Sequence, residues 1–305
     1  MAAYYLSIGN IIIDDIILPD GTKKMGILGG GLTHAAMGIR VWTDRVGLIS
    51  SVGADFEPGW IDLLGSYFDL SGLRTFERAP TPRAWQVFDE DGTRHETFQT
   101  DFEKMKVHIP KPDQIPTAYD DLIGVHLHCP PEEVGQWVPP LRERNCRVIL
   151  WEPWDEFCQP VNREQFMWNA QQVDVVSPNL REARKLTGLD DPVKIVHQLK
   201  AYGARMVVVR MAEAGSLLLD SRGDLYQIPA FPAEHIIDVT GAGNAYCGGF
   251  VYGLATTQDP KQAGWYGGVS ASLALQQFGA LYPLDDINAR AQSRLDWYRQ
   301  QARAA

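Results

Sequence analysis

Short apolar runs alternate with segments whose apolar residues recur at helical spacing along most of this chain. Tyr4–Ile8, Val46–Ser50, Leu122–His128, Val148–Trp151, Val173–Val176 and Met206–Arg210 read as strands, each followed by a helical pattern. Leu180–Thr187 and Val193–Tyr202 are predicted helices around one crossover, closed by Gly188 and Gly203, where a left-handed residue ends a helix. Alternation of this kind predicts an α/β fold of three layers, a mainly parallel sheet flanked by helices. Two regions break the pattern. Ile11–Lys24 and Arg74–Thr100 are strand-like without helices between, and Phe88–Thr93 reads as a turn, so these segments are predicted to form a small antiparallel β lid. Pro110, Pro112 and Pro116 mark the connection from the lid back to the sheet.

Composition narrows the class of partner. At 305 residues, with no internal repeat and no Pro/Ser linker, one domain spanning 1–305 is the expectation. The net charge of −10 is spread without a block of either sign, which argues against nucleic acid and for a small molecule. Ile11–Leu18 is interrupted by Asp14 and Asp15, so nothing approaches the ~18–20 apolar residues of a membrane span. No basic stretch precedes the first apolar residues, which argues against a secretory signal. Cys129, Cys146, Cys158 and Cys247 lack C-x-x-C spacing and suit reduced thiols, so a cytoplasmic location is expected.

Glycines cluster where chemistry is expected. Asp238-Val-Thr-Gly-Ala-Gly-Asn-Ala-Tyr-Cys-Gly-Gly-Phe250 leads into a helical segment, and the backbone N–H groups of Gly241, Ala242 and Gly243 could converge on a phosphate. The same small residues also suit a helix start packed tightly against a strand. Tyr246 in place of a glycine excludes a dinucleotide fingerprint, and the lack of Gly-Lys-Ser/Thr excludes a Walker loop. Gly29, Gly30 and Gly31 open a second helix whose first turn carries His34, and would let a substrate hydroxyl approach the backbone. Gly248 and Gly249 are grouped with these loops as facing one cleft. Asn179 and Glu182 have capping-box spacing. His126 and His128 share a strand face, but no third metal ligand is placed beside them.

In order and spacing these motifs resemble the PfkB, or ribokinase-like, carbohydrate kinase family over nearly the whole chain. Gly29-Gly30-x-x-x-His34-x-Ala36 is similar to its GG-x-x-x-N-x-A signature, and Gly53-Ala-Asp55-Phe-Glu-Pro-Gly59 to its G-x-D-x-x-G segment. Asn179-Leu-Arg-Glu182 resembles its N-x-x-E motif, and Asp238-Val-Thr-Gly-Ala-Gly-Asn244 its D-T-x-G-A-G-D signature. The resemblance implies ATP-dependent phosphoryl transfer to a hydroxymethyl group of a sugar or nucleoside, with Mg2+ and a monovalent cation as accompanying ions. It places Asp14, Gly29, Gly30, Gly31, His34 and Asp238 at the acceptor, and Gly241, Ala242 and Gly243 in an anion hole. Asn179, Glu182 and Arg210 fall on the nucleotide side, with Glu182 acting on Mg2+ indirectly. The β lid then covers the acceptor, with Trp85 and Phe98 as wall residues and its Ile11–Leu18 strand as a homodimer surface.

Three pockets depart from the family pattern. Asn244 stands where the family has its aspartate base, and a carboxamide cannot take a proton near neutral pH. His34 replaces an asparagine. Glu152-Pro153-Trp154 and Arg210-Met-Ala-Glu213-x-Gly215 depart from Asp-Pro-Asn and T-x-G-E-x-G. Together they are similar to the fungal Mak32-like branch. Two readings follow: a kinase slowed by Asn244, with His34 or Asp238 as substitute base, or a catalytically inactive pseudokinase that binds nucleotide and sugar.

Overall fold

A computed structural model describes residues 4–90, 94–233 and 235–304. In chain order the strands are β1 (Tyr5–Ile8), β2 (Ile12–Ile17), β3 (Lys23–Gly29), β4 (Val46–Gly53), β5 (Asp69–Phe76), β6 (Arg83–Phe88) and β7 (Arg94–Phe98). They continue as β8 (Gly124–Leu127), β9 (Val148–Trp151), β10 (Val175–Val176), β11 (Met206–Arg210), β12 (Ser216–Leu219) and β13 (Leu225–Ile228). Nine of them form one sheet in the order β13-β12-β11-β10-β9-β8-β1-β4-β5, parallel except for the antiparallel edge pairs β11–β12 and β12–β13. Every residue of β1, β4, β8 and β9 is buried, which is why these strands read as continuous apolar runs. Separate hydrophobic clusters cover the two faces of the sheet.

β9 and β11 and the Leu180–Thr187 helix have their predicted bounds, and Gly188 and Gly203 adopt the positive φ expected of helix ends. The second sheet, β3-β2-β6-β7, is the lid. Its outer pairs are antiparallel, but β2 and β6 run parallel. The lid is also shifted from its predicted bounds. β3 extends to Gly29 and so delivers the chain directly into the Gly29–Gly31 loop, while Arg74–Phe76 belong to β5 at the edge of the large sheet, where they pair with Ser51–Gly53. Asp91–Thr93 of the predicted Phe88–Thr93 turn lie outside the described residues.

Asp15 anchors the lid, accepting from Arg83 Nη2 at 2.6 Å and Nε at 2.8 Å and from Gln99 Nε2 at 2.7 Å. Asp55, from the G-x-D segment, accepts from Thr81 N at 2.8 Å and Thr81 Oγ1 at 2.9 Å, pinning the chain where it enters β6. Ile11, Ile13 and Ile16 of the strand expected at a homodimer surface are buried within the single chain.

Two helices meet with almost no side chain between them. A Cβ on Gly38, in the Gly31–Arg40 helix, would strike the Ala245 carbonyl, and one on Gly248, in the Ala242–Thr257 helix, would strike the Ala35 carbonyl. Gly249 packs in the same way against Ser270 and Tyr266. Gly248 and Gly249 are therefore packing contacts inside the helix and not part of a cleft, as the sequence pattern had suggested. Their effect is to hold the starts of the two helices side by side.

Candidate active site

The start of the Ala242–Thr257 helix is built around Gly241, whose φ of 73° is a left-handed conformation. The His34 ring lies where a Cβ of Gly241 would be, so the two glycine loops touch. Among the described residues the N–H groups of Gly241, Gly243 and Asn244 donate to no backbone carbonyl. Ala242 differs from the sequence expectation: its N–H reaches back to Val239 O at 3.3 Å, leaving Asn244 N in its place as a free donor. A helix start with unengaged amides suits an anion.

Several buried polar atoms beside this helix start lack partners among the described residues, namely Asp238 Oδ2, Thr240 Oγ1 and His34 Nε2. Leaving such an atom unpaired costs ~1–3 kcal/mol, so their grouping marks a place prepared for a ligand. Asp238 Oδ1 accepts from Thr240 N at 2.9 Å, and burial raises the Asp238 carboxyl above its ordinary range. Burial pushes His34 down to about 4, which makes it a neutral ring at pH 7 and a weak proton acceptor.

On the lid side, Asp14 packs on Gly29, where any side chain would displace its carboxylate. Asp14 Oδ1 accepts from Gln86 Nε2 at 3.0 Å, and burial pushes the carboxyl up to about 7. Gln86 also donates to Glu96 at 2.7 Å. Strand register puts Asp14, Gln86, Arg94 and Phe98 on one face of the lid, with Trp85 on the other beside Asp15. Phe98 thus shares the Asp14 face, and Trp85 does not.

Arg94 was not legible as a site residue, being one arginine at the end of a predicted strand. Its charge reaches Asp14, His34 and Asp238 together.

Behind the helix start lies a buried charge network. Arg210 Nη1 is 2.6 Å from Glu152 Oε1, its Nη2 is 3.7 Å from Glu182 Oε2 and donates to Ser177 O at 2.9 Å, and its guanidinium passes beneath Gly243, where a Cβ would block it. Glu152 Oε2 accepts from His126 Nε2 at 2.8 Å and Asn244 Nδ2 at 3.0 Å. Burial alone would raise the Glu152 carboxyl, but Arg210 and the His126 hydrogen bond outweigh it and hold Glu152 well below the usual carboxylate range. Glu182, farther from the guanidinium, is pushed by burial up to about 7. The capping box is complete: Asn179 Oδ1 accepts from Glu182 N at 2.9 Å, Glu182 Oε2 from Asn179 N at 2.7 Å, and Glu182 Oε1 from Asn179 Nδ2 at 2.6 Å.

His126, Glu152 and Cys247 place three ligand atoms within 4.8 Å of one another. Each is engaged already: Ser7 Oγ lies 3.0 Å from His126 Nδ1, the guanidinium occupies Glu152, and Cys247 Sγ donates to Ser177 Oγ at 3.4 Å. This is an ion-pair network and not a metal centre.

The structure therefore gathers Gly241, Gly243, Asn244, His34, Asp238, Arg210, Glu152, Asn179 and Glu182 around one helix start, with Asp14 and Gly29–Gly31 at the lid side.

Comparison with known proteins points the same way. Residues 154–287 match the pfkB family of carbohydrate kinases. The chain is 30% identical over 252 residues to a cytidine kinase of Thermococcus kodakarensis, covering 81% of this chain and 87% of that one. It is 25% identical over 312 residues to the protein MAK32 of Saccharomyces cerevisiae, covering 89% and 84%. A crystal structure of a putative ribokinase II of E. coli in complex with ATP and Mg2+ superposes with a TM-score of 0.72 at 17% identity, over 95% of this chain and 99% of that one.

Proposed function

Since this chain belongs to the pfkB family of carbohydrate kinases, we propose that it transfers the γ-phosphate of ATP to a hydroxymethyl group of a nucleoside or sugar. The observation that carries the reading is the helix start at Gly241–Asn244, where three unengaged amides and the unpartnered atoms of Asp238 and Thr240 face the acceptor loop. The cytidine kinase relative supports a nucleoside acceptor, and the ATP complex of the similar fold supports the donor.

In this reading Asp14 and Asp238 accept hydrogen bonds from acceptor hydroxyls, and the backbone of Gly29–Gly31 lets the acceptor lie flat. The amides of Gly241, Gly243 and Asn244, with the Arg210 guanidinium beneath them, stabilise the charge of the transferring phosphoryl group. The lid strands exclude water. Arg94 supplies a positive charge over the acceptor.

When bound, Mg2+ would supply neutralisation of phosphate charge. Both Glu182 oxygens already accept from Asn179 and a guanidinium stands 3.7 Å away, so Glu182 suits a water of the ion's shell and not the ion itself. In the same reading the protein is cytoplasmic, dimerises through the lid and uses a monovalent cation.

A second reading is favoured by one contact. Asn244 Nδ2 is committed to Glu152, so the residue at the base position is tied back into the charge network. In this reading the protein is a pseudokinase that binds nucleotide and acceptor without turnover. ATP binding by calorimetry, followed by ADP release with a panel of cytidine, adenosine, ribose and fructose, separates the two. Binding with turnover of one alcohol is expected. Binding without turnover selects the pseudokinase, and no ATP binding overturns both.

A further inference from the structure

Transfer to an alcohol releases a proton, and the residue at the usual accepting position is an amide. We propose that His128, at the end of β8, is the catalytic base, accepting the acceptor hydroxyl's proton on Nε2; the proposal rests on the kinase reading above.

His128 borders the right space. A Cβ on Gly31 would lie 2.8 Å from His128 Cδ2, 3.0 Å from His128 Nε2 and 2.9 Å from Asn244 Nδ2, so the imidazole edge and Asn244 both stand close against the Gly31 backbone at the start of the helix. Hydrogen bonding settles the tautomer. His128 Nδ1 is 3.2 Å from the Glu152 carbonyl oxygen, which can only accept, so Nδ1 carries the hydrogen and Nε2 the lone pair. Nε2 makes no hydrogen bond among the described residues, and the residue is half-buried.

The ring is also held in place. It stacks on His126 with centroids 6.0 Å apart at 15°, and Trp154 packs against it at 6.0 Å. Burial, aided by the nearby His126 and Arg210 and opposed by Glu152, keeps the imidazole neutral at pH 7.

The other candidates are less suited. His34 Nε2 is buried and its proton affinity is low. Glu152 already receives three donors, His126, Asn244 and Arg210. Asp238 already accepts from Thr240 N with one oxygen.

In the step itself the acceptor O–H proton passes to His128 Nε2 as the oxygen bonds to the γ-phosphorus. The bond from that phosphorus to the bridging oxygen breaks, and ADP leaves with the electron pair. The imidazolium then returns its proton to water. Asn244 accepts or donates a hydrogen bond to orient the hydroxyl but takes no proton.

The experiment uses the full chain, ATP and whichever alcohol of the panel is turned over. His128→Ala is expected to lower kcat by ~100-fold or more, with acceptor KM and ATP Kd within about threefold, and added imidazole to restore part of the rate. His128→Gln, which preserves side-chain bulk, is expected to lose the same activity and to unfold at the temperature of the native chain. In 15N spectra of histidine-labelled protein at pH 7, His128 should show a protonated Nδ1 and a bare Nε2. A kcat within about threefold of native in both variants, or a protonated Nε2, would overturn the proposal while leaving the kinase reading intact. If the native chain binds ATP but phosphorylates none of the panel, the kinase reading fails first and the base falls with it.

Discussion

Asn244 and Glu152 stand 3.0 Å apart, amide to carboxylate, and that contact makes the asparagine more than a missing base. Restoring the family residue by Asn244→Asp would set two carboxylates against each other in a buried network that has one arginine to share. We expect destabilisation of ~1–3 kcal/mol at pH 8. One carboxyl of the pair would have its folded pKa raised above its unfolded value, so the loss is full above the folded pKa and disappears as pH falls towards 4. Urea unfolding of both proteins at pH 8 and pH 4 checks this; equal losses at both would show that charge is not the cause.

Asp14 carries the same sign of linkage in the native chain. Burial pushes it up to about 7, so the folded state holds a proton that the unfolded state has already released, and Asp14 reduces stability progressively from about pH 4 to 7. Asp14→Asn should therefore stabilise the fold at pH 8, on the order of 2 kcal/mol, with little change at pH 4. It should also weaken acceptor binding. Native acceptor affinity, measured without nucleotide, should strengthen as pH rises through about 7, and this limb should be absent in Asp14→Asn.

Among the elements, the Gly31–Arg40 and Ala242–Thr257 helices set the geometry of the site because Gly38 and Gly248 let their backbones touch. Gly248→Ala should separate the helix starts, costing ~1–3 kcal/mol from overpacking and weakening ATP binding at the same time. Gly188→Ala makes a control. It meets nothing within 4 Å but has φ of 74°, so it should cost about 1 kcal/mol of stability and leave ATP binding unchanged. Isothermal calorimetry and denaturant melts on the two variants compare them directly. Equal ATP affinity in Gly248→Ala and native protein would show that helix spacing does not shape the anion site.

For the molecule as a whole, the lid is joined to the acceptor loop by covalent continuity, since β3 ends at Gly29, and to the body by Asp55 holding Thr81. Acceptor binding should then slow amide exchange in β6 and β7, while a non-hydrolysable ATP analogue alone should not. Hydrogen exchange with each ligand separately reads this out, and protection of β6 and β7 by nucleotide alone would contradict it.

Strands β5, β12 and β13 of the large sheet were not legible in the sequence, whereas β1, β4, β8, β9, β10 and β11, the Leu180–Thr187 helix with its Asn179–Glu182 cap, and both glycine loops were. Each rests on local physics: continuous apolar runs, a cap three residues from its partner, a left-handed glycine. The lid bounds were less so, because an edge strand of the large sheet and a lid strand have the same alternation, and only pairing assigns Arg74–Phe76 to one of them. Apolar patterning pointed to an α/β body, and the resemblance of its motifs to the pfkB family implied phosphoryl transfer and singled out Asn244. What fills the role at that position was decided in three dimensions. The His126–His128 pair, Glu152 and Arg210 come from three separate strand ends, and their hydrogen-bond and charge partners are ones that no local pattern can name. Residue types along a chain limit which chemistry is available, but a proton acceptor is made by neighbours, through burial and hydrogen bonds that exist only once the sheet has brought those strands together.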